Sequence, residues 1–340
     1  SPVCASSDRR RLDLTLAHAT AAGSPGGRCA SLRGRSRNRP LCRRLTCGTM
    51  APIDRPADHA TDDPHDLVLR ADADPGAVRA IAEAALADAP PDLDPSDAIR
   101  AWALGLALRH LRELKDAELW LRRAVVALQP GTDDHTGASL SLSGTLAFHG
   151  RFADAEEVLS ACSPSVDMAG RVQYQRAAMA EHQGDLALAI EGYEASLAGF
   201  RLSGDRLGEA HALSGLALVR VAAADAPTAL AEFGLAMSIY QELDLPLLAA
   251  IQRHNLGFAA LRAGDTVAAM RHLAAAEREV RPFDGSFVEI GLDRVEALLV
   301  AGFEREAIDK AAEVASALET NEVDAERGPM LIGLARTLAS

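Results

Sequence analysis

Aromatic side chains make up only 4% of this sequence. That scarcity argues against a β-rich fold, because Phe, Tyr and Trp are among the residues that fill strands best. Lysine is nearly missing: Lys115 and Lys310 stand against 33 Arg, a bias that reads as GC-rich coding. No apolar run approaches the roughly 20 residues that cross a bilayer, so no membrane helix is expected. Cysteine is confined, because Cys4, Cys29, Cys42 and Cys47 all precede Met50 at spacings that match no common zinc or disulfide framework. Only Cys162 follows, expected as a small buried residue on a helix face. A body with one thiol suits a reducing cytoplasm. Also missing are a Walker loop, a dinucleotide fingerprint, an HExxH pair and a GxSxG elbow. His182 and His272 have no His or Cys one turn away, and Asp62, Asp63 and Asp66 lack the Gly and terminal Glu of a calcium loop. Adjacent Glu156 and Glu157 point in different directions on a helix and read as solvated. No catalytic residue, metal site or cofactor is expected.

What is present is Ala, Leu and Val, which supply most of the 48% apolar content and favour closely packed helices. The expected fold is all-α. Charge is distributed unevenly: residues 1–49 hold ten Arg against Asp8 and Asp13, a net of +8, which leaves −21 for the remainder. An acidic body of that size argues against a nucleic-acid partner and favours a basic protein or peptide.

The chain divides by composition. Residues 1–49 have no hydrophobic periodicity and no apolar core of a secretory signal, and translation is expected to start at Met50, leaving the leader disordered or non-native. Residues 50–74 are rich in Asp and Pro and are expected to stay disordered. Asp74-Pro75 then caps a first helix that Pro90 and Pro91 end, and residues 75–340 form the helical body.

Within that body six segments align, beginning at Leu104, Leu142, Arg176, Leu216, Leu256 and Arg294, each reading as helix, short turn and helix. Their register is carried by Ala117, Ala155, Ala189, Ala229, Ala269 and Ala307, spaced 38, 34, 40, 40 and 38 apart. Gly150, Gly184, Gly264 and Gly302 suit left-handed turns between the helices, with Asp185 and Asp265 as caps for the second helices.

This pattern resembles the tetratricopeptide repeat (TPR) in a long version of about 40 residues. The resemblance implies a right-handed α-solenoid of about six helix pairs plus flanking helices. It also implies that a small first-helix residue faces the alanine of the second, as Gly105 would face Ala117 and Gly257 would face Ala269. Arg176 and Arg294 depart from the family by replacing its usual Leu. Residues 325–339 look like the first helix of a seventh pair.

In such a stack the first helices line an inner groove, where a peptide would meet Arg171, Tyr174, Gln175, His211, His254, Asn255 and Arg262. Trp102, Arg109, Phe258 and Asp293 share that face by register, and Asn255 is the foremost candidate because related repeats use Asn there to bind a ligand backbone. The later repeats (HNLGFAALRAGDTVAAMRHLAAAE and GLDRVEALLVAGFEREAIDKAAEVASALE) and the final GLARTLA look like the amino-terminal region of actinobacterial CHAT-domain proteins. That resemblance implies a cytoplasmic bacterial sensing region whose caspase-like peptidase domain follows elsewhere in the gene product. Long repeats of this kind also occur in the sensor regions of bacterial transcriptional regulators, which is the alternative.

Overall fold

The computed structural model describes residues 63–71, 74–281 and 288–320. The expectations for residues 1–49, for residues 50–62 and 72–73, and for 325–339 lie outside the described residues. Among the described residues there are fourteen helices and no strand, as the composition required. Two helices lead, α1 (Pro64–Arg70) and α2 (Pro75–Leu86). Six pairs follow: α3 (Pro95–His110) with α4 (Leu114–Ala127), α5 (Asp133–Phe148) with α6 (Phe152–Ser160), and α7 (Val166–Gln183) with α8 (Leu186–Ser203). The remaining pairs are α9 (Arg206–Ala222) with α10 (Ala226–Glu242), α11 (Pro246–Arg262) with α12 (Thr266–Val280), and α13 (Val288–Val300) with α14 (Glu304–Thr320). The chain divides into two compact units, Ser1–Ala212 and Leu213–Ser340, with the division inside α9.

All six register alanines have 0% exposure. Each is enclosed within its pair, where the close packing of a protein interior leaves little room for a larger side chain. The facing partners follow expectation in part: a Cβ on Gly105 would lie 3.2 Å from the Ala117 carbonyl oxygen, but leucine side chains stand closer still. A Cβ on Gly105 would lie 2.6 Å from Leu121 Cγ, and one on Gly257 would lie 2.7 Å from Leu273 Cγ. The leucine one turn past the alanine fills the space because helical side chains lean toward the N-terminus, back over the preceding turn. The third pair takes the approach furthest, since a Cβ on Gly199 of α8 would sit 2.8 Å from the Cα of Gly170 in α7.

The six turns within pairs share one geometry. The residues after the first helices, Arg112, Gly150, Gly184, Ala224, Gly264 and Gly302, all have positive φ. Their successors each donate from N–H to a carbonyl five residues back: Glu113 to Leu108, Arg151 to Leu146, Asp185 to Ala180, Asp225 to Arg220, Asp265 to Ala260 and Phe303 to Leu298. This closure satisfies carbonyls that the helix end leaves open. Asp185, Asp225 and Asp265 then cap the second helices through their carboxylates. Gly adopts this backbone without penalty, whereas Arg112 and Ala224, both with φ of 64°, carry a Cβ there.

Several departures from expectation have plain causes. Residues 63–71, within the stretch expected to be disordered, form α1, because Asp63 and Pro64 start a helix and place Leu67, Val68 and Ala71 in the core of the first pairs. Cys162 is half-buried just beyond α6, its Sγ 3.4 Å from the carbonyl of Val158, because α6 stops at Ser160. Glu156 is not simply solvated: it accepts from Arg176 Nε at 3.0 Å. Arg294 likewise pairs with Glu277 of α12. Where the first helix has Arg in place of the family's Leu, the preceding second helix supplies the carboxylate.

Two substitutions check this packing by urea denaturation. Ala269→Leu overfills the site beside Leu273 and lowers stability by about 1–3 kcal/mol. Ala224→Gly relieves the left-handed residue and raises stability by about 0.5–1 kcal/mol, after the entropic penalty of Gly.

Candidate functional site

The first helices of the pairs carry most of the polar side chains singled out from the sequence. In the first unit, Trp102 of α3 is 6% exposed and donates from Nε1 to Ser141 Oγ of α5 at 2.9 Å. Its ring lies over Gly137, where any Cβ would fall 2.4 Å from Trp102 Cη2. Trp102 therefore joins neighbouring first helices and is withdrawn from the surface. Further along α5, Gly144 lies beneath two half-buried side chains: a Cβ there would be in ordinary contact, 3.5 Å from Arg109 Nη1, 3.8 Å from Gln175 Nε2 and 4.0 Å from Gln175 Oε1. Guanidinium and amide thus converge, from α3 and α7, over a residue with no side chain.

Arg171 and Tyr174 stand on the same helix as Gln175. Arg171 Nη2 lies 3.4 Å from Asp205 Oδ2, while the other oxygen of Asp205 accepts from the Gly208 N–H at the start of α9. His211 lies within the field of both charges. Burial pushes its pKa down to about 4; Asp205 opposes that shift and Arg171 adds to it. At neutral pH His211 is an uncharged imidazole, a hydrogen-bonding group and not a cation. Tyr174 meets Tyr193 of α8 edge-on, with ring centroids 5.4 Å apart. Tyr193 donates its hydroxyl to Glu181 Oε2 at 2.7 Å, and Glu181 is 3% exposed. Its Oε1 is buried with no hydrogen-bond partner, and burial raises the carboxyl pKa to about 7 against the smaller opposing effect of the Tyr193 hydrogen bond.

In the second unit the candidates form a ladder between helices. Ser214 Oγ of α9 donates to Gln252 Oε1 of α11 at 3.0 Å, and Asn255 Nδ2 donates to the same oxygen at 3.3 Å. His254 Nε2 and Asp293 Oδ2 of α13 are 2.9 Å apart. His254 and Asn255 are each 5% exposed, so both use their polar atoms inside the stack. Arg262 is different: its Nη2 reaches both oxygens of Glu296 at 2.8 and 2.9 Å, and its guanidinium lies 5.2 Å from the Phe258 ring centroid. A planar guanidinium held between a carboxylate and an aromatic face is fixed in orientation.

Ser141, Gln252 and Glu296 were not anticipated as partners. The signal lay in the repeat length, because Trp102 to Ser141, Ser214 to Gln252 and Arg262 to Glu296 are separated by 39, 38 and 34 residues, as His254 and Asp293 are by 39. A polar residue one repeat away from another on the inner face is placed beside it.

Glu181 gives this region a pH signature. Its native pKa lies above the unfolded value, so the stability held by the protonated acid is complete below about pH 4.5 and is lost as pH rises toward about 7. Glu181→Gln removes this dependence. The difference in urea midpoint between the parent and this variant should favour the parent most at pH 4.5 and shift steadily toward the variant up to pH 7. A pH-independent difference contradicts a buried neutral acid.

No protein family model matches the chain, and no curated protein matches it. Solved structures do share its fold. The chain is similar to one in the crystal structure of the APC/C hetero-tetramer Cut9–Hcn1, with a TM-score of 0.62 and 15% identity, over 83% of this chain and 50% of that one. It thus spans about half the length of that neighbour. It is also similar to the apo form of RapI, with a TM-score of 0.57 and 10% identity over 82% of both chains. Both neighbours are built of tetratricopeptide repeats, so the chain has the TPR solenoid fold.

Proposed function

We propose that the chain is a non-enzymatic scaffold that holds a protein or peptide segment against the faces of its first helices. The observation that carries this reading is the convergence of the Arg109 guanidinium and the Gln175 amide over Gly144, a residue with no side chain. Guanidinium and amide donors at that spot suit the carbonyls of an extended backbone. Arg171, Tyr174 and His211 extend this contact surface in the first unit, and Arg262 is the contact residue of the second. His254 and Asn255 support the surface from beneath. The net charge of −21 beyond the leader favours a segment that is basic overall. No helix among the described residues is long and apolar enough to cross a membrane.

Within this reading the chain is the sensing region of a CHAT-type, caspase-like peptidase protein in a bacterial cytoplasm, with its effector domain outside these residues. The wording of the later repeats supports that assignment. The long repeat spacing, 38 to 40 residues between most register alanines, supports the alternative of a transcriptional-regulator sensor. The coding sequence downstream of Ser340 discriminates them: a His/Cys peptidase domain favours the first and a helix-turn-helix the second.

The scaffold reading is tested by selecting short peptides from a random library against the full chain. Replacing Arg109 and Gln175 together by Ala should weaken the selected peptides at least about tenfold, equivalent to 1.4 kcal/mol. Val126→Asp, at a side chain 87% exposed on α4, should leave affinity unchanged. Equal losses in both variants would remove the assignment of the surface, and turnover of the peptide by the chain would remove the non-enzymatic reading.

A further inference from the structure

The second helix of the first pair differs from the other five on its exposed side. Counted from the register alanines, the position of Leu119 holds Glu157, Glu191, Ala231, Arg271 and Asp309 in the later pairs, and that of Val126 holds Pro164, Ala198, Ser238, Arg278 and Ser316. The repeat does not need a large apolar residue at either place. Leu119 and Val126 are nevertheless 56% and 87% exposed, two turns apart on one side of α4, with Arg122 and Arg123 between them. No later pair has Arg at either of those two positions. Single apolar residues scattered over a surface need no explanation, but these four line one groove.

The groove has a volume of 380 Å³. One wall is α4, and the other is the connection between α2 and α3, which contributes Pro91, Asp92 and Leu93. Proline restricts the backbone of that second wall, and Arg123 fastens it to α4 by donating from Nη2 to the Pro90 carbonyl at 2.9 Å. The Arg123 guanidinium also lies 4.5 Å from the Trp120 ring centroid, and it pairs with no carboxylate among the described residues. Arg122 does pair, but its Glu118 is shared with Arg151, at 2.8 Å from each. The lining thus sets two guanidinium groups against one carboxylate, Asp92, in a body whose net charge beyond the leader is −21. A cationic group held in place before anything binds loses little freedom on binding and selects its partner by charge.

We propose that this groove docks an acidic segment of a partner protein, with an aliphatic side chain against Leu119, Val126 and Pro91 and a carboxylate beside Arg122 and Arg123. The surface belongs to a second helix and is separate from the first-helix face that suits a basic segment. The two recognise opposite charges, and neither assignment rests on the other.

Fluorescence anisotropy of the full chain with a short fluorescein-labelled peptide of alternating Leu and Glu tests the groove. The peptide should bind saturably, and versions with Gln for Glu or Ser for Leu should bind at least about tenfold more weakly. Arg123→Gln and Leu119→Ser should each weaken the Leu–Glu peptide by about tenfold, the second without touching the bond that fastens the wall. Val126→Asp adds a carboxylate to the groove and should weaken that peptide further, while peptides held through Arg109 and Gln175 keep their affinity for all three variants. Val267→Ser, at a side chain 82% exposed on α12, should change nothing. Absence of saturable binding, equal binding of the Gln version, or binding that survives both Arg123→Gln and Leu119→Ser overturns the proposal. A concentration-dependent dimer in sedimentation velocity that Leu119→Ser abolishes would give the groove to a second copy of the chain and overturns it too.

Discussion

The structure depends on a steric limit: two helices can pack at the separation seen within these pairs only if one residue at the crossing has almost no side chain. The six alanines that meet this limit are completely buried; one turn later five are followed by a large side chain (Leu121, Leu159, Tyr193, Phe233 and Leu273) and the last by Ala311. Small then large along the same face gives a close crossing with a filled flank. The chain's low aromatic content follows from the same constraint, because closely spaced helices leave few sites for rings. Of the rings that do occur, Tyr193, Phe200, Phe233 and Tyr240 are fully buried, whereas Phe148 and Phe303 are exposed.

Electrostatics is subordinate to that packing and corrects it locally. Arg176 and Arg294 stand where an apolar residue would serve, and each is neutralised by a glutamate from the preceding second helix. Glu277 accepts from both Arg294 and Lys310, and these partners hold its carboxyl below the usual range against the opposing effect of burial. Glu181 has no cation and the opposite outcome, remaining protonated near neutrality. Two glutamates in one repeat family thus differ in ionisation because their neighbours differ, not because their depth alone does.

The inner face divides into two kinds of residue. Within its own unit, Trp102 joins α3 to α5 and His254 with Asp293 joins α11 to α13, and all three are nearly inaccessible, as is Asn255, which bonds Gln252 on its own helix. Arg109, Arg171, Tyr174, Gln175 and His211 remain half-buried, and this second set forms the proposed contact surface.

The sequence by itself determined the secondary structure, the pairing of helices and the register, because alanines at intervals of 34 to 40 residues and glycines in the turns are local requirements that leave a direct mark. It also placed the candidate residues on the first helices of their pairs. Only the tertiary structure decided which of them face solvent. His254 and Arg262 lie on one helix, yet the first is closed off by Asp293 on the next pair while the second stays part-exposed beside Glu296. The same holds for Asp63 to Ala71, whose polar composition concealed three apolar residues that become a helix once α3 offers them a surface. Contacts made across repeats depend on what stands one turn further along a different helix, and a single-helix pattern does not carry that information.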